Sequence, residues 1–313
     1  MQNIKIDRPI FMIGMPRSGT TVIAEAISLH RDLGWFSNLQ VHLPRSYWLA
    51  LLSRITNVPV IGEYLLGKKN QGGGISSKIK EHLPHCDEAY PIWEQYLGEK
   101  FCRDYLINQT ATVSEQKSIK SLIMNVLHWQ GKKRFFSKLT GPPRMHYLKS
   151  IFEDAYFLHV VRDPRAVVSS LLQVTFWKNG GLDKPWWQNG LPDLYYQEWL
   201  EHKKSQVALA AVQWKWIIEL TGQEKEFVAK ERYIEVRYED FVEDPHLVIE
   251  NIFYRLGLQD SPATHQYIES MGKIYNMNHK YKSYLKSGDI EMIETITSTT
   301  ARKAGYIFKV CEK

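Results

Sequence analysis

Residues 9–21, PIFMIGMPRSGTT, run from a short apolar stretch through a glycine turn into a helical pattern, TTVIAEAISLH. That order limits the chain to an α/β fold. A strand that ends in a glycine loop and feeds a helix N-terminus is an anion-binding turn, because the free N–H groups and the helix dipole point the same way. The loop resembles the phosphate-binding pattern G-x-x-x-x-G-K-[ST]. Gly14 and Gly19 keep the spacing and Thr21 keeps the hydroxyl, but Thr20 replaces the lysine. The cation is Arg17, inside the loop. In nucleoside triphosphatases the missing lysine bridges the outer phosphates beside Mg²⁺. Without it, the loop suits a shorter phosphate chain with less need of metal.

The strand–turn–helix unit recurs. AYFLHVV (155–161) is followed by DPRAVVSSLLQ, where Pro164 fits a first helical position. RYIEVRY (232–238) is followed by DPHLVIENIFYRLGL, with Asp244 as N-cap, Pro245 at the first helical position and Gly257 near the end. Further helices are expected at 205–220 and 288–304. Repetition of this unit predicts a central parallel β-sheet flanked by helices, in one domain over residues 1–313. A largely helical or loop insertion is expected at about 35–130. QGGGISS (71–77) reads as a mobile loop within it.

Of the 313 residues, 44% are hydrophobic, enough for a sizeable core. The net charge of +6 is spread along the chain, so it suits an anionic small ligand and argues against nucleic acid. Three scattered cysteines do not make a disulfide framework. The longest apolar stretch, 47–66, is interrupted by Arg54, Asn57, Pro59 and Gly62, so no transmembrane segment is expected. These features predict a soluble, cytoplasmic protein and leave room for peripheral contact with a membrane. The sequence is silent on oligomeric state.

A second anion site is expected in HVVRDPRAVVSSLL. Arg162 ends a strand and Ser170 lies eight residues on, about two turns into the next helix. The plainer reading is a surface Arg162–Asp163 pair beside an ordinary helical serine.

Together the two segments resemble the sulfotransferase family, which uses 3′-phosphoadenosine 5′-phosphosulfate (PAPS). The family pattern P-[KR]-[ST]-G-[ST]-[ST] is met by Pro16, Arg17, Ser18, Gly19, Thr20 and Thr21. The arginine and serine of its 3′-phosphate segment are met by Arg162 and Ser170. RYEDFVEDP (237–245) is similar to the family's tyrosine–acid stretch, with Tyr238 where a tyrosine nears the adenine. The C-terminal run ending in Gly305-Tyr306 is also similar. The resemblance covers residues 8–45 and about 130–310. It implies a P-loop-like sulfotransferase fold and an enzyme (EC 2.8.2.-) of bacterial type. PAPS is then co-substrate, adenosine 3′,5′-bisphosphate (PAP) is product, and no metal is required.

It also implies roles. Arg17 stabilises the bridging oxygen as the sulfuryl group leaves. Lys138 matches a lysine that many members place near the transferred group, unless it is simply a solvated member of KKRFFSK. Many animal members carry a histidine base two residues later, where this chain has Thr140. The base is therefore sought in HLPHCDEAYPIW (82–93), which resembles an acidic P-x-x-x-E stretch of bacterial members. Glu88 stands first, then His85 and Asp87, with His42 outside the segment. The plainer reading of Glu88 is a water-facing carboxylate at a helix N-terminus. His82, His85, Cys86 and Asp87 have metal-ligand chemistry, but Pro84 breaks their spacing and no second pair follows.

The acceptor is a small molecule, lipid, glycolipid or carbohydrate. Trp177, Trp186, Trp187 and Trp199, with Trp35, Trp48 and Trp93, are candidates to wall its cleft. The alternative is that they fill cores, as Trp214 and Trp216 are expected to do. YWLALLSRI and VIGEYLLG hint at a greasy acceptor. Two competing functions remain: a metal-dependent small-molecule kinase with a degenerate P-loop, and a PAPS-binding module without catalysis. Mg²⁺-dependent triphosphatase activity would mark the first, and absence of donor turnover the second.

Overall fold

The computed structural model describes residues 6–42, 47–57, 84–180 and 185–308. Five strands form one parallel sheet in the order β2-β3-β1-β4-β5. They are β1 (Ile10–Gly14), β2 (Leu33–Gly34), β3 (Arg134–Thr140), β4 (Tyr156–Val161) and β5 (Tyr233–Arg237). The main helices are α1 (Thr20–Ser28), α2 (Tyr90–Leu97), α3 (Val113–Gln130), α4 (Pro164–Leu171), α5 (Gln206–Glu224), α6 (Pro245–Leu256) and α7 (Ser287–Lys303). Strands β1, β4 and β5 and the helices after them lie where the apolar runs and caps put them. The segments QGGGISS and VIGEYLLG lie outside the described residues.

The sheet is covered on both faces, as all-parallel sheets are. Alternate residues of each strand pack to opposite sides. Ile10, Met12, Leu158, Val160, Ile234 and Val236 meet α1 and α6. Phe11, Ile13, Phe135 and Phe157 meet α2 and α3 in the other layer. A third cluster joins α4, α5 and α7. Between β2 and β3, the aromatic rings of Phe36, Trp93, Phe101 and Phe135 lock that region to the sheet. Their centroids lie 4.9–5.4 Å apart in the Phe36–Phe135, Trp93–Phe101 and Phe36–Trp93 pairs.

Helix ends follow their sequence signals. Asp244 accepts the Leu247 N–H at 3.0 Å and Gly257 closes α6 with φ +66°. Asp163 caps α4 through the Arg165 N–H at 2.8 Å. Thr112 and Glu115 form a reciprocal capping box on α3.

Strand β3 was not evident in the sequence, because RFFSKLT carries two cations. All seven of its residues are nevertheless buried. Arg134 satisfies itself on the carbonyls of Arg8 and Leu256, and Lys138 finds partners described below. Among the described residues, no helix is long and apolar enough to cross a membrane.

Glu224, at the end of α5, is 3% exposed. Its Oε2 accepts the Met145 N–H at 2.6 Å, while Oε1 has no hydrogen-bond partner among the described residues. Burial outweighs the backbone hydrogen bonds and the nearby Arg144 charge, and pushes the carboxyl up from 4.5 to about 7. A carboxyl raised in the folded state favours folding below its unfolded pKa, and that advantage fades as pH rises through the folded value. Glu224→Gln should therefore raise Tm at pH 8, by the equivalent of roughly 1–3 kcal/mol, and give little or no gain at pH 5. Thermal unfolding of both proteins at the two pH values checks this.

Candidate active site

Strand β1 ends at Gly14 and α1 starts at Thr20. The loop between them closes through the Ser18 N–H on the Met15 carbonyl at 3.2 Å. Ser18 therefore spends its N–H on the turn. Gly19 is the N-cap of α1 and no side chain caps the helix. The N-terminal N–H groups of α1 are thus left for a ligand. Both glycines are required. A Cβ on Gly14 would stand 2.5 Å from the Val160 carbonyl oxygen. Gly19 has φ +87°, and its Cβ would fall 2.3 Å from the Tyr238 ring. Arg17 also has positive φ, at 74°, so its side chain leaves the loop in a fixed direction.

That direction leads to the second anion segment. Arg17 Nε donates to Ser170 Oγ at 2.9 Å, and Arg162 Nη1 donates to the Arg17 carbonyl at 2.9 Å. The structure thus brings Arg17, Arg162 and Ser170 together. The plainer reading, a surface Arg162–Asp163 pair, does not hold: Arg162 is 8% exposed, and Asp163 bonds Arg165 instead. The Arg162 guanidinium lies over the Tyr238 ring at 4.1 Å, so Tyr238 belongs to the same wall. Burial pulls the Arg162 pKa below its ordinary value, though an arginine stays charged.

Sequence reasoning missed Asn278. Its Oδ1 accepts from Arg162 Nε at 2.8 Å and its Nδ2 donates to Glu239 Oε1 at 2.6 Å. Glu239 also takes the Tyr306 hydroxyl at 2.7 Å. No motif marks Asn278. Glu239 and Tyr306 lie in stretches whose likeness to the family was visible, but their pairing was not.

On the other side of the loop stands Lys138, one residue pair from the end of β3. It is buried rather than solvated. Its Nζ lies 3.3 Å from Glu88 Oε1 and donates to Thr21 Oγ1 at 3.4 Å. Thr140 Oγ1 donates to Glu88 Oε2 at 3.1 Å. Glu88 therefore faces the loop, held by two residues of β3, and is not a carboxylate facing only water.

Backbone pairing delivers it there. Ser37 and Cys86 form an antiparallel bridge, Asp87 N donates to the Phe36 carbonyl at 3.1 Å, and Asn38 exchanges two hydrogen bonds with the His85 backbone. Asp87 Oδ1 accepts the Ala89 N–H at 2.8 Å, so it shapes the turn into α2. His85 is half-buried in this bridge. His42 ends the short helix Asn38–His42, and its side chain lies outside the described residues.

Among the described residues, no group of three or more His, Cys, Asp and Glu side chains is placed to hold a metal. Burial pushes the Cys86 thiol up to about 12, which suits an apolar packing residue better than a ligand thiolate. The tryptophans correct one expectation. Trp35, Trp93, Trp177, Trp187 and Trp199 are buried in cores, as are Trp214 and Trp216. Of the cleft candidates, Trp48 is exposed and Trp186 half-buried, and these two are free to meet an acceptor. Trp186 lies under the Arg103 guanidinium at 4.2 Å and edge-on to Phe176 at 5.1 Å.

A glycine loop opening on an uncapped helix, flanked by Arg17, Lys138 and Arg162, is the arrangement of a group-transfer enzyme that handles a phosphate-bearing donor. The model of the sulfotransferase family matches residues 9–262, and the chain belongs to that family. Among curated proteins it is similar to the omega-hydroxy-beta-dihydromenaquinone-9 sulfotransferase Stf3 of Mycobacterium bovis. The two are 23% identical over 293 residues, covering 85% of this chain and 68% of the relative. Its fold is similar to the crystal structure of sulfotransferase STF9 from Mycobacterium avium, with TM-score 0.57, 17% identity, and 96% and 77% of the two chains covered. It is also similar to STF1 from Mycobacterium tuberculosis H37Rv, with TM-score 0.56, 16% identity and 95% and 78% covered.

The Gly19 geometry gives a direct test. Gly19→Ala should destabilise the protein by roughly 1–3 kcal/mol, through the positive φ and the clash with Tyr238. Gly222→Ala, inside α5 with nothing within 4 Å of the added Cβ, should instead stabilise by roughly 0.5–1 kcal/mol. Denaturant titration of the two variants reads both signs.

Proposed function

We propose that the protein transfers a sulfuryl group from PAPS to a hydroxyl or amine of a lipid-like acceptor. The observation that carries this is the contact chain Thr21–Lys138–Glu88, which joins the donor loop, a buried cation and a carboxylate. The donor fits what the loop offers. The loop is tight enough that neither glycine has room for a Cβ, and the α1 N-terminus is uncapped. Thr20 gives no β/γ-bridging charge, and a phosphate–sulfate anhydride needs none.

In this reading Pro16, Arg17, Ser18, Gly19, Thr20 and Thr21 hold the 5′-phosphosulfate. Arg162 and Ser170 take the 3′-phosphate, and Tyr238 lies beside the adenine. Transfer is in-line. Glu88 accepts the proton of the acceptor hydroxyl, the acceptor oxygen forms its bond to sulfur, and the bridging S–O bond breaks. The electron pair stays on the bridging oxygen of adenosine 3′,5′-bisphosphate. Arg17 and Lys138 stabilise that charge by fixed electrostatics, with no metal ion required. His85, beside Glu88 in sequence, is the reserve candidate for the base.

Support for an apolar acceptor comes from the named activity of the mycobacterial relative, which concerns a menaquinone-derived lipid. The exposed Trp48, Leu51 and Leu52 on the 3-10 helix Tyr47–Asn57 fit peripheral contact with a membrane that holds such a lipid. The unpaired thiols of Cys86 and Cys102 support a cytoplasmic location.

Adenosine 3′,5′-bisphosphate should bind in the presence of a chelator as tightly as without it. Calorimetry reads this, and strict dependence on Mg²⁺ would favour a metal-dependent kinase. Arg162→Ala should weaken PAP by much more than its 3′-dephospho analogue, with a selective loss of about tenfold or more, since a charged hydrogen bond contributes roughly 1.5–3 kcal/mol. Equal weakening of both nucleotides would remove Arg162 from the 3′-phosphate.

Two further variants separate donor chemistry from acceptor chemistry. Glu88→Gln should keep PAP binding and slow transfer to an alcohol about 10²–10⁴-fold. Arg17→Ala should slow transfer even to an acidic phenol that needs no base. Full activity of Glu88→Gln alongside loss in His85→Ala would move the base to histidine. No transfer of radiolabelled sulfuryl to any component of a bacterial lipid and sugar extract would favour a binding module.

A further inference from the structure

Thr140 has no chemistry of its own to offer as a base, yet its hydroxyl is aimed at Glu88. It is 5% exposed, and its backbone is fixed from both sides. The Tyr90 hydroxyl donates to the Thr140 carbonyl, and the next N–H, Gly141, donates to the Gly14 carbonyl at 2.9 Å. A side chain on so rigid a backbone is a reference point for whatever it touches. It touches Glu88 Oε2 at 3.1 Å, and a hydroxyl donating to an oxygen ties up a lone pair there. The other oxygen, Oε1, faces Lys138 Nζ at 3.3 Å, and that ammonium also reaches Thr21 of the loop.

The two oxygens are therefore not equivalent. One is anchored to a neutral donor that cannot leave. The other is paired with the Lys138 ammonium, which an anionic donor in the loop would draw toward itself.

We infer that Thr140 is a positioning residue: it anchors Glu88 through Oε2 so that Oε1 is the oxygen that receives the proton when sulfuryl transfer occurs. The inference rests on the reading of Glu88 as base. Lys138 holds Oε1 until the donor arrives, and then turns to the donor's anion. The freed Oε1 accepts the proton of the attacking O–H. The attacking oxygen bonds to sulfur, and the bridging S–O bond breaks with its electrons on adenosine 3′,5′-bisphosphate. Without the Thr140 hydroxyl the carboxylate swings about its last torsion and presents either oxygen, or neither, to the acceptor. A base misplaced by about 1 Å loses much of its effect.

Water is the one acceptor available without knowing the natural one, so slow hydrolysis of radiolabelled PAPS is the readout, with PAP binding by calorimetry as the structural control. Thr140→Val keeps the shape and removes the hydroxyl. It should slow hydrolysis about tenfold to a hundredfold, the equivalent of one hydrogen bond to a charged group, with PAP affinity unchanged. Thr140→Ser should recover most of the lost rate. In a Glu88→Gln background, Thr140→Val should add no further loss, because both act through one carboxylate.

Hydrolysis by Thr140→Val at the parent rate overturns the inference and leaves Glu88 as base, provided Glu88→Gln is slow. PAP binding that falls together with the rate overturns it as well, since Thr140 would then be a general structural residue. An undiminished further loss in the Glu88→Gln background shows that Thr140 acts elsewhere. A parent rate for Glu88→Gln itself removes the base reading, and the inference with it.

Discussion

The site depends on how tightly β1 is gripped between β3 and β4. Gly14 lies opposite Thr140 in the ladder, takes the Gly141 N–H on its carbonyl, and has the Val160 carbonyl oxygen against its Cα on the other side. No side chain fits between them. This backbone contact makes three strands end at one edge. The Lys138–Thr140 pair and Arg162 arise there more than a hundred residues after the glycine loop in sequence. Register matters as much as proximity. Lys138 and Thr140 are two apart, so they share a face. A slip of one residue would turn both away from Glu88 and Thr21.

The parts that were legible in the sequence are those whose signals are local. Strand β1, the glycine loop and α1 follow one another without a break, and β4 and β5 are apolar runs closed by Asp-Pro caps. Strand β3 was hidden because its stability comes from partners far along the chain. Arg134 is satisfied by the carbonyls of Arg8 and Leu256, and Lys138 by Glu88, fifty residues earlier. Read locally, RFFSKLT is a basic patch; in three dimensions each cation has its acceptor. Asn278 was hidden for the same reason: its meaning lies in Arg162 and Glu239, which no spacing rule connects to it. The tryptophans misled in the opposite sense. Their number suggested a cleft, but most of them pack the layers beside the sheet.

Arg162 and Arg165 show how burial alone does not define a role. They are three residues apart and both are largely enclosed. Arg165 is neutralised: its guanidinium meets both oxygens of Asp163 and, at 2.8 Å, Glu294, and these carboxylates raise its pKa above the ordinary value. Among the described residues, Arg162 bonds neutral acceptors, the Asn278 amide and the Arg17 carbonyl, and burial lowers its pKa. Arg17, which is exposed, is also set on a neutral hydroxyl. A buried cation whose partners are neutral keeps its field, which an incoming anion can then satisfy. The charge state of the partners, more than exposure, separates the two arginines proposed to face the donor from the structural one.

Arg165 in turn makes the setting of Arg162 possible. Tyr281 and Phe308 lie against the Arg165 guanidinium at 5.0 and 4.8 Å, and Glu294 ties α7 to the same point. The C-terminal part of the chain is thereby fastened over the start of α4. Asn278, three residues before Tyr281, and Tyr306, two before Phe308, are carried with it to Glu239. Glu239 collects both, together with the Asp163 N–H at 3.3 Å. Arg162 can rest on a neutral amide only because this fastening brings the amide to it. The Arg162 side of the site is thus assembled from the far end of the chain, through Arg165. The opposite side, where the carboxylate stands, is assembled through β3.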